Sequence, residues 1–204
     1  MTGVAPVDHT ATPELAFRLD VANAVVGEAV HGVLLRCQLR IEPQLRAYSD
    51  AEAAGLDDLF GARERWERTV KPMLWTHATA MVPAFTGALA FELPVVCTYD
   101  FNQAVARYFH ALVDGEVPVI LLFSGTVFYA GASGAMQVGQ VPWSCEARYR
   151  MPVAAWKTLM DRHYPNVTSV ALRRDVFDRL DRYRREHRCA DLDQALESLL
   201  GGRA

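Results

Sequence analysis

Histidine and cysteine are the residues of this chain that could do chemistry, because imidazole and thiolate groups bind metals and imidazole transfers protons. The chain has six histidines and four cysteines. It has no Cys-x-x-Cys pair and no two short ligand pairs of the kind that a structural zinc site shows. His77, Cys97 and His110 could still converge if the segment 71–87 covers the helix that begins near Asp100. These three residues define one hypothesis, a small metal-binding protein or enzyme.

Other patterns of catalysis or cofactor binding are incomplete. Asp114 lies four residues after His110 and could orient it as a general base. A charged imidazole ring near the C-terminus of a helix also interacts favourably with the backbone carbonyl groups there, and this explains the pair without catalysis. The segment 131–134 lacks the Lys-Ser or Lys-Thr end of a phosphate loop and is not a G-x-G-x-x-G motif. Neither Ser124 nor Cys97 lies in a nucleophile elbow. The sequence therefore predicts no catalytic residue and no cofactor.

Aromatic side chains offer a different kind of function, the binding of a partner protein. Trp75, Phe85 and Trp143 lie in or beside segments that proline and glycine interrupt. Aromatic residues in such places either cover the core or anchor a partner. These three residues are the candidate partner surface if they are exposed, although packing over the core is the favoured role.

Composition limits the classes of protein to be considered. The 204 residues carry a net charge of -3 and are 51% hydrophobic and 22% charged, which is typical of a folded domain and gives no general attraction to nucleic acid or anionic lipid. The cysteines are widely separated and no apolar signal segment begins the chain, so a reduced, cytoplasmic protein is expected. The longest largely apolar run, 117–129, is shorter than the ~20 residues that span a membrane.

Hydrophobic periodicity indicates both strands and helices. Apolar and polar residues alternate with period two in most of the predicted strands, whereas 117–129 is a nearly uninterrupted apolar run that is typical of a buried strand. Capping residues, proline and glycine mark the predicted helix ends, including a capping box of Asp100 and Gln103. Lys71 to Gly87 has no clean period and is predicted to be mixed extended chain and loop. The predicted strands cover 15–21, 31–42, 89–95, 117–129 and 145–151, and the predicted helices cover 50–59, 101–113, 152–163, a segment from about 175, and 191–200.

This order of elements favours an α+β fold, because strands and helices do not alternate regularly. We expect a mainly antiparallel sheet or sandwich with inserted helices and a C-terminal helical layer. The predicted organisation is a flexible leader over 1–13, a core domain over 14–165, and a strand-helix-helix appendage over 166–204 that packs on the core.

The C-terminal appendage also resembles a ribbon-helix-helix module, which would read DNA with the outward side chains of its strand. Those side chains would be Ser169, Ala171 and Arg173. A single basic side chain attracts phosphate weakly, and the acidic chain adds nothing to it. DNA binding through this tail is therefore the less favoured alternative, and a helical layer on the same domain is preferred.

Several strings spread over most of the chain from about Leu15 onward resemble one protein family. They are Leu39–Gln44, Leu74–His77, Val82–Gly87, Cys97–Phe101, Tyr108–Leu112, Leu122–Phe128 and Val141–Trp143.

The family that these strings resemble is an actinobacterial family with a domain-of-unknown-function label. Its genes often lie beside those of high-affinity nickel-iron uptake hydrogenases. The resemblance implies a non-enzymatic accessory, assembly or scaffold protein with a hydrogenase subunit or maturation factor as its partner. It supplies no catalytic residue, and it leaves the oligomeric state open.

Overall fold

The structure of the protein is a computed structural model that describes residues 1–98 and 102–201. The chain divides into two compact units, Met1–Thr168 and Ser169–Ala204. Both helices and antiparallel sheets are present, which confirms the predicted α+β class.

Apolar residues form the strands of the first unit; they alternate with polar residues over 14–22 and 29–41, as predicted, and run almost without interruption over 116–130. Its strands are β1 (Gly3–Pro6), β2 (Glu14–Ala22), β3 (Ala29–Ile41), β4 (Met73–Val82), β5 (Phe85–Thr86), β6 (Ala88–Val96), β7 (Glu116–Ala130), β8 (Met136–Gln140) and β9 (Glu146–Pro152).

Helices connect these strands and form the second unit. The helices are α1 (Asp50–Gly55), α2 (Asp57–Phe60), α3 (Trp66–Thr69), α4 (Gln103–Ala111), α5 (Val153–His163), α6 (Arg174–Glu186) and α7 (Leu192–Gly201), and short 3-10 turns cover Pro43–Leu45 and Arg63–Arg65.

Two antiparallel sheets make up the strand layers. The smaller sheet has the order β1-β2-β6. The larger sheet has the order β4-β3-β7-β8, with β5 also paired to β3 and β9 also paired to β7. The two long central strands, β3 and β7, are in register with Leu35 opposite Gly125 and Leu39 opposite Leu121. Residues of odd number on both strands therefore face the interior.

Strand β4 corrects the prediction of mixed extended chain and loop over 71–87. Thr76 lies opposite Leu39 and Leu74 lies opposite Arg40, so Trp75 is the extra residue of a β-bulge. Trp75 and Thr76 are consequently both buried, although they are neighbours in sequence. The bulge removes the period of two by which a strand is recognised.

The helix ends differ in detail from the predicted ones. The predicted helix over 50–59 is interrupted at Leu56, while Ser49 and Glu52 form a capping box at its start. Helix α4 has Asn102 as its N-cap, whose side chain accepts a hydrogen bond from the backbone N–H of Val105 at 3.1 Å. The predicted cap Asp100 lies outside the described residues.

Aromatic side chains from helices and strands fill one end of the first unit. The rings of Phe109 in α4 and Trp156 in α5 stack with 5.0 Å between centroids. Trp75 of the larger sheet meets Phe17 of the smaller sheet edge-on at 6.1 Å, and it also contacts Phe109 at 5.4 Å. Contacts of this kind, with the buried aliphatic residues around them, fix the separation of the two sheets at this end.

The second unit is built from α6 and α7. Asp191 caps α7 by accepting a hydrogen bond from the backbone N–H of Gln194 at 2.8 Å, as predicted, and the backbone N–H of Ala190 donates to the Gln194 side-chain oxygen at 2.6 Å. The hydroxyl groups of Tyr183 and Ser198 join the two helices at 3.0 Å.

Candidate functional site

An apolar pocket of about 570 Å³ lies between the two sheets of the first unit. Leu19 and Val21 of β2 form one wall, and residues of the larger sheet form the other. The inner-facing positions of β3 and β7 that line it are Val33, Leu35, Phe123 and Val127. The pocket walls are therefore the same strand faces that form the core farther along the sheets.

The pocket exists because the helices fill only one end of the space between the sheets. The inner face of β3 is buried throughout, but Val33 and Leu35 also line the pocket, whereas Cys37 and Leu39 do not. The aromatic cluster around Phe109 lies toward the first pair. No helix of the described residues contributes to the pocket lining.

The charged residues of the pocket lining are acidic, and Asp20 and Glu146 stand at its rim because their side chains alternate with those of the inner-facing Leu19 and Ala147. Asp20, Glu28 and Glu146 line it, and no Lys, Arg or His side chain does so within the described residues. The Asn23 amide donates a hydrogen bond to the Glu28 carboxylate at 3.1 Å. Arg148 partly neutralises Glu146 across 3.2 Å. The pocket therefore combines apolar walls with a negative electrostatic bias.

A free strand edge borders the pocket on the side of the smaller sheet. Strand β1 pairs with β2 only as far as Arg18. At that point the backbone N–H of Thr2 donates a hydrogen bond to the carbonyl oxygen of Arg18 at 3.0 Å. On that side, no strand within the described part of the chain pairs with β2 beyond Arg18. The backbone groups of Asp20 and Ala22 are thus open to another strand.

A second free edge lies on the side of the larger sheet, along β8 and β9. The backbone N–H of Val141 donates to the Gly125 carbonyl oxygen at 3.0 Å, so residues of even number in β8 direct their backbone groups away from β7. In β9 the outward residues are charged, which protects an edge against pairing. In β8 they are the uncharged Met136, Val138 and Gln140.

A tight turn carrying Trp143 joins the two edge strands. The backbone N–H of Cys145 donates to the Pro142 carbonyl oxygen at 3.0 Å, and that of Phe123 donates to the Cys145 carbonyl oxygen at 3.0 Å. These bonds hold the turn against β7, while the Trp143 side chain is 94% exposed. Its neighbour Pro142 lines the pocket.

Gly125 is the residue of β7 that permits this arrangement. Its φ of +146° lies outside the range that L side chains favour, and a Cβ atom there would stand 2.1 Å from the Leu34 carbonyl oxygen. The backbones of β3 and β7 approach each other closely at this point, so only glycine fits.

The three aromatic residues that are candidates for a partner surface occupy different places. Trp75 is 3% exposed and belongs to the core, so it is not available as a surface anchor. Phe85 lines the pocket and Trp143 stands beside it on the surface. Only the latter two remain candidates for contact with a partner.

The metal hypothesis on His77, Cys97 and His110 receives no support from the geometry. His77 is exposed on β4, 3.3 Å from the Gln38 side chain, and His110 is exposed on α4. Burial raises the pKa of the Cys97 thiol to about 12, so it is not a thiolate at neutral pH. Within residues 1–98 and 102–201, no group of three His, Cys, Asp or Glu side chains could hold a metal ion.

The sequence signal for the pocket is weak, and its residues were read as ordinary strand positions. Leu19, Val33, Leu35 and Val127 alternate like any core residue, and nothing in their types shows that the space facing them is empty. The usable signal is Phe85, which lies two residues after Pro83 in a short interrupted segment.

The fold and the site thus define an α+β protein with two facing antiparallel sheets and an open, negatively biased apolar pocket. The chain belongs to DUF6084, a family of unknown function, which matches residues 1–204. This confirms the expected domain-of-unknown-function family. No curated protein and no solved structure matches the chain. Among the described residues, no helix is long and apolar enough to cross a membrane.

Proposed function

We propose that the protein is a non-enzymatic binding protein whose pocket receives an extended, apolar segment of a partner protein. The observation that carries this proposal is the open apolar pocket between two free strand edges. A volume of about 570 Å³ lies within the range of about 300–1,000 Å³ found for ligand sites.

The free edges favour a peptide over a compact small molecule. An extended chain can place its backbone groups on β8 or on the end of β2, and alternate side chains then enter the pocket. The lining carboxylates Asp20, Glu28 and Glu146 favour an occupant that carries a Lys or Arg side chain beside its apolar residues.

The partner class in this proposal is a nickel-iron hydrogenase subunit or maturation factor, which makes the protein an accessory, assembly or scaffold factor of that system. Support for this class comes from the sequence resemblance to proteins encoded beside such hydrogenases.

Co-purification from a native host tests the proposal. We expect the tagged protein to recover a hydrogenase subunit or maturation factor. The substitution Val127→Trp, which fills the pocket, should abolish this recovery. Ser124→Trp is the matched control, because Ser124 is an exposed residue on the opposite face of the same strand.

Two results would contradict the proposal in different ways. Recovery of no hydrogenase component, together with intact hydrogen uptake in a deletion strain, would refute the partner class. Equal recovery with Val127→Trp and with the wild type would refute the pocket as the binding site.

A further inference from the structure

The free end of β2 is an unfilled position in the smaller sheet. Strand β6 continues beside β2 to its end, but β1 stops opposite Arg18. Even-numbered residues of β2 direct their backbone groups toward the side of β1, as the bond from the Val7 N–H to the Glu14 carbonyl oxygen at 2.8 Å shows. Among the described residues, Asp20 and Ala22 have no backbone partner on that side. Each of them therefore offers one N–H and one C=O group to an added strand.

An added strand in this position would send alternate side chains into the pocket. Leu19 and Val21 are the inward residues of β2, and the even-numbered Asp20 and Ala22 stand at the rim. Residues directly opposite each other in an antiparallel pair project to the same face of the sheet. A residue opposite Val21 therefore enters the pocket, and a residue opposite Asp20 or Ala22 stays at the rim.

Asp20 supplies the charge that selects an occupant. Its neighbour across β6 is Ala90, which is uncharged. Two residues earlier on the same face, Arg18 pairs with Glu92 at 3.3 Å. In the part of the chain that the structure describes, no cation forms an ion pair with Asp20. Opposite charges that face each other across two strands stabilise the pairing, so a Lys or Arg side chain is favoured opposite Asp20.

We propose that the occupant adds to the smaller sheet beside β2 and antiparallel to it, with four residues opposite 20–23. Read from its N-terminus, the segment has the pattern apolar, any, apolar, basic. The two apolar side chains face the pocket opposite Asn23 and Val21, and the basic side chain lies opposite Asp20. This inference rests on the proposed function and adds to it the strand edge, the direction and the side-chain pattern.

The direction and the end of the segment follow from β1. Strand β1 lies on the same side of β2 and runs antiparallel to it, and antiparallel pairing is the slightly more stable kind per residue. The Thr2 N–H donates to the Arg18 carbonyl oxygen and Met1 lines the pocket, so the chain itself adjoins the position opposite Leu19. The basic residue of the occupant is thus the last that pairs with β2, and its chain ends or turns away after it.

Strand β8 is the competing edge and lacks this selectivity. Its backbone groups are free at Met136, Val138 and Gln140, whose uncharged side chains do not distinguish a basic neighbour from an acidic one. Of its two inward residues, Gln137 and Gly139, only the glycine lines the pocket. The end of β2 combines an apolar inward residue with a charged outward one, and β8 offers no such combination.

NMR titration of the isotope-labelled full chain with the acetylated and amidated peptide Leu-Ser-Leu-Lys, at millimolar peptide, tests the position. We expect the amide signals of Asp20 and Ala22 to shift and their hydrogen exchange to slow, because both N–H groups gain an acceptor. The peptide Lys-Leu-Ser-Leu has the same composition in reverse order and should bind about tenfold more weakly.

Backbone methylation of the peptide tests the register. The serine lies opposite Ala22 and directs its N–H toward β2, so N-methylation of this residue should weaken binding about tenfold or more. The second leucine lies opposite Val21 and directs its N–H away from β2. N-methylation of that leucine is the matched control and should leave the affinity nearly unchanged.

Charge reversal at Asp20 tests the selection of a basic residue. The wild type should prefer Leu-Ser-Leu-Lys to Leu-Ser-Leu-Glu about tenfold, and Asp20→Lys should reverse this preference. Glu14→Lys is the matched control, because it makes the same change on the same face of β2 where Val7 already occupies the neighbouring position. This control should keep the preference for the lysine peptide.

Failure of this inference is distinct from failure of the proposed function. Absence of peptide binding, equal binding of the two peptide directions, slowed exchange along β8 instead of β2, or an unchanged preference in Asp20→Lys would each overturn the inference. Recovery of a hydrogenase component that Val127→Trp abolishes would still support the proposed function in that case. Peptide binding as expected, without such recovery, would refute the partner class and leave the strand position supported.

Discussion

Replacing Glu52 by glutamine should destabilise the first unit strongly, although the two side chains have the same shape. Glu52 is buried, and Arg46 donates to its Oε1 at 2.9 Å. The backbone N–H of Val113 also donates to Oε1 at 2.9 Å, and that of Ser49 donates to Oε2 at 3.0 Å. Each of the two carboxylate oxygens of Glu52 therefore faces at least one hydrogen-bond donor.

Glutamine cannot satisfy this environment in either orientation of its amide. Its NH2 group must face a donor at one of the two positions, which leaves a buried donor without an acceptor. The substitution also removes the partner of the Arg46 charge, whose side chain is 8% exposed. Loss of one partner of a buried ion pair costs about 3–5 kcal/mol, and we expect a loss in this range.

Urea unfolding followed by tryptophan fluorescence measures this loss. All four tryptophans lie in the first unit, so the signal reports that unit alone. Glu92→Gln is the matched control, because Glu92 pairs with Arg18 at 3.3 Å on the surface, where a pair contributes about 0–1 kcal/mol. Equal effects of the two substitutions would refute the assigned role of the buried pair.

The same pair makes a prediction about pH. Burial alone raises the pKa of Glu52, but the hydrogen bonds from Val113 and Ser49 and the Arg46 guanidinium together hold it below its ordinary value of 4.5. A depressed folded pKa contributes stability that is complete above the unfolded pKa and is lost as the pH falls through the folded pKa. The wild type should therefore lose unfolding free energy below about pH 4.5, and Glu52→Gln should lose less of it.

Three further predictions follow from single residues. Gly125→Ala should cost about 1–3 kcal/mol for the backbone conformation alone, with more for the displaced Leu34 carbonyl; an unchanged urea midpoint would contradict the close approach of the strands. Trp143→Ala should change stability by less than about 0.5 kcal/mol, because the ring is exposed, yet reduce recovery of the partner; full recovery would remove Trp143 from the binding surface. Burial raises the pKa values of Cys37 and Cys97 to about 12, so iodoacetamide at neutral pH should leave both unmodified in the folded protein while it labels the two partly exposed cysteines; labelling of all four at similar rates, read by mass spectrometry, would show that the two sites open to solvent.

Local patterning was sufficient to predict the long central strands, because β3 alternates apolar and polar residues and β7 is a nearly uninterrupted apolar run. It failed at β4, since the bulge at Trp75 turns two consecutive residues toward the core. It also failed to separate Leu35, which lines the pocket, from Cys37, which is packed in the core. That difference depends on how far α4 extends between the sheets, which is a property of tertiary packing.

The candidate site shows the same division between local and long-range information. Trp143 could be identified from its turn, because proline and a short loop mark a surface position. Asp20 and Glu28 could not, since their role depends on the pocket that lies between their strand ends. Trp75 was a candidate anchor and lies in the core, because aromatic residues near proline serve either purpose.

The unfilled pocket is itself an argument for a binding role. Burial of apolar surface stabilises by roughly 25 cal/mol per Å², so apolar side chains that stay partly exposed in the pocket give up free energy that a packed helix would supply. The aromatic cluster around Phe109 shows that this fold can fill the space between its sheets. At the pocket end, Phe85, Phe123 and Val127 line the cavity and are only partly buried, and no helix of the described residues covers them. An apolar segment that enters between the free edges would recover this free energy, and the filled end would hold the two walls at a fixed separation to receive it.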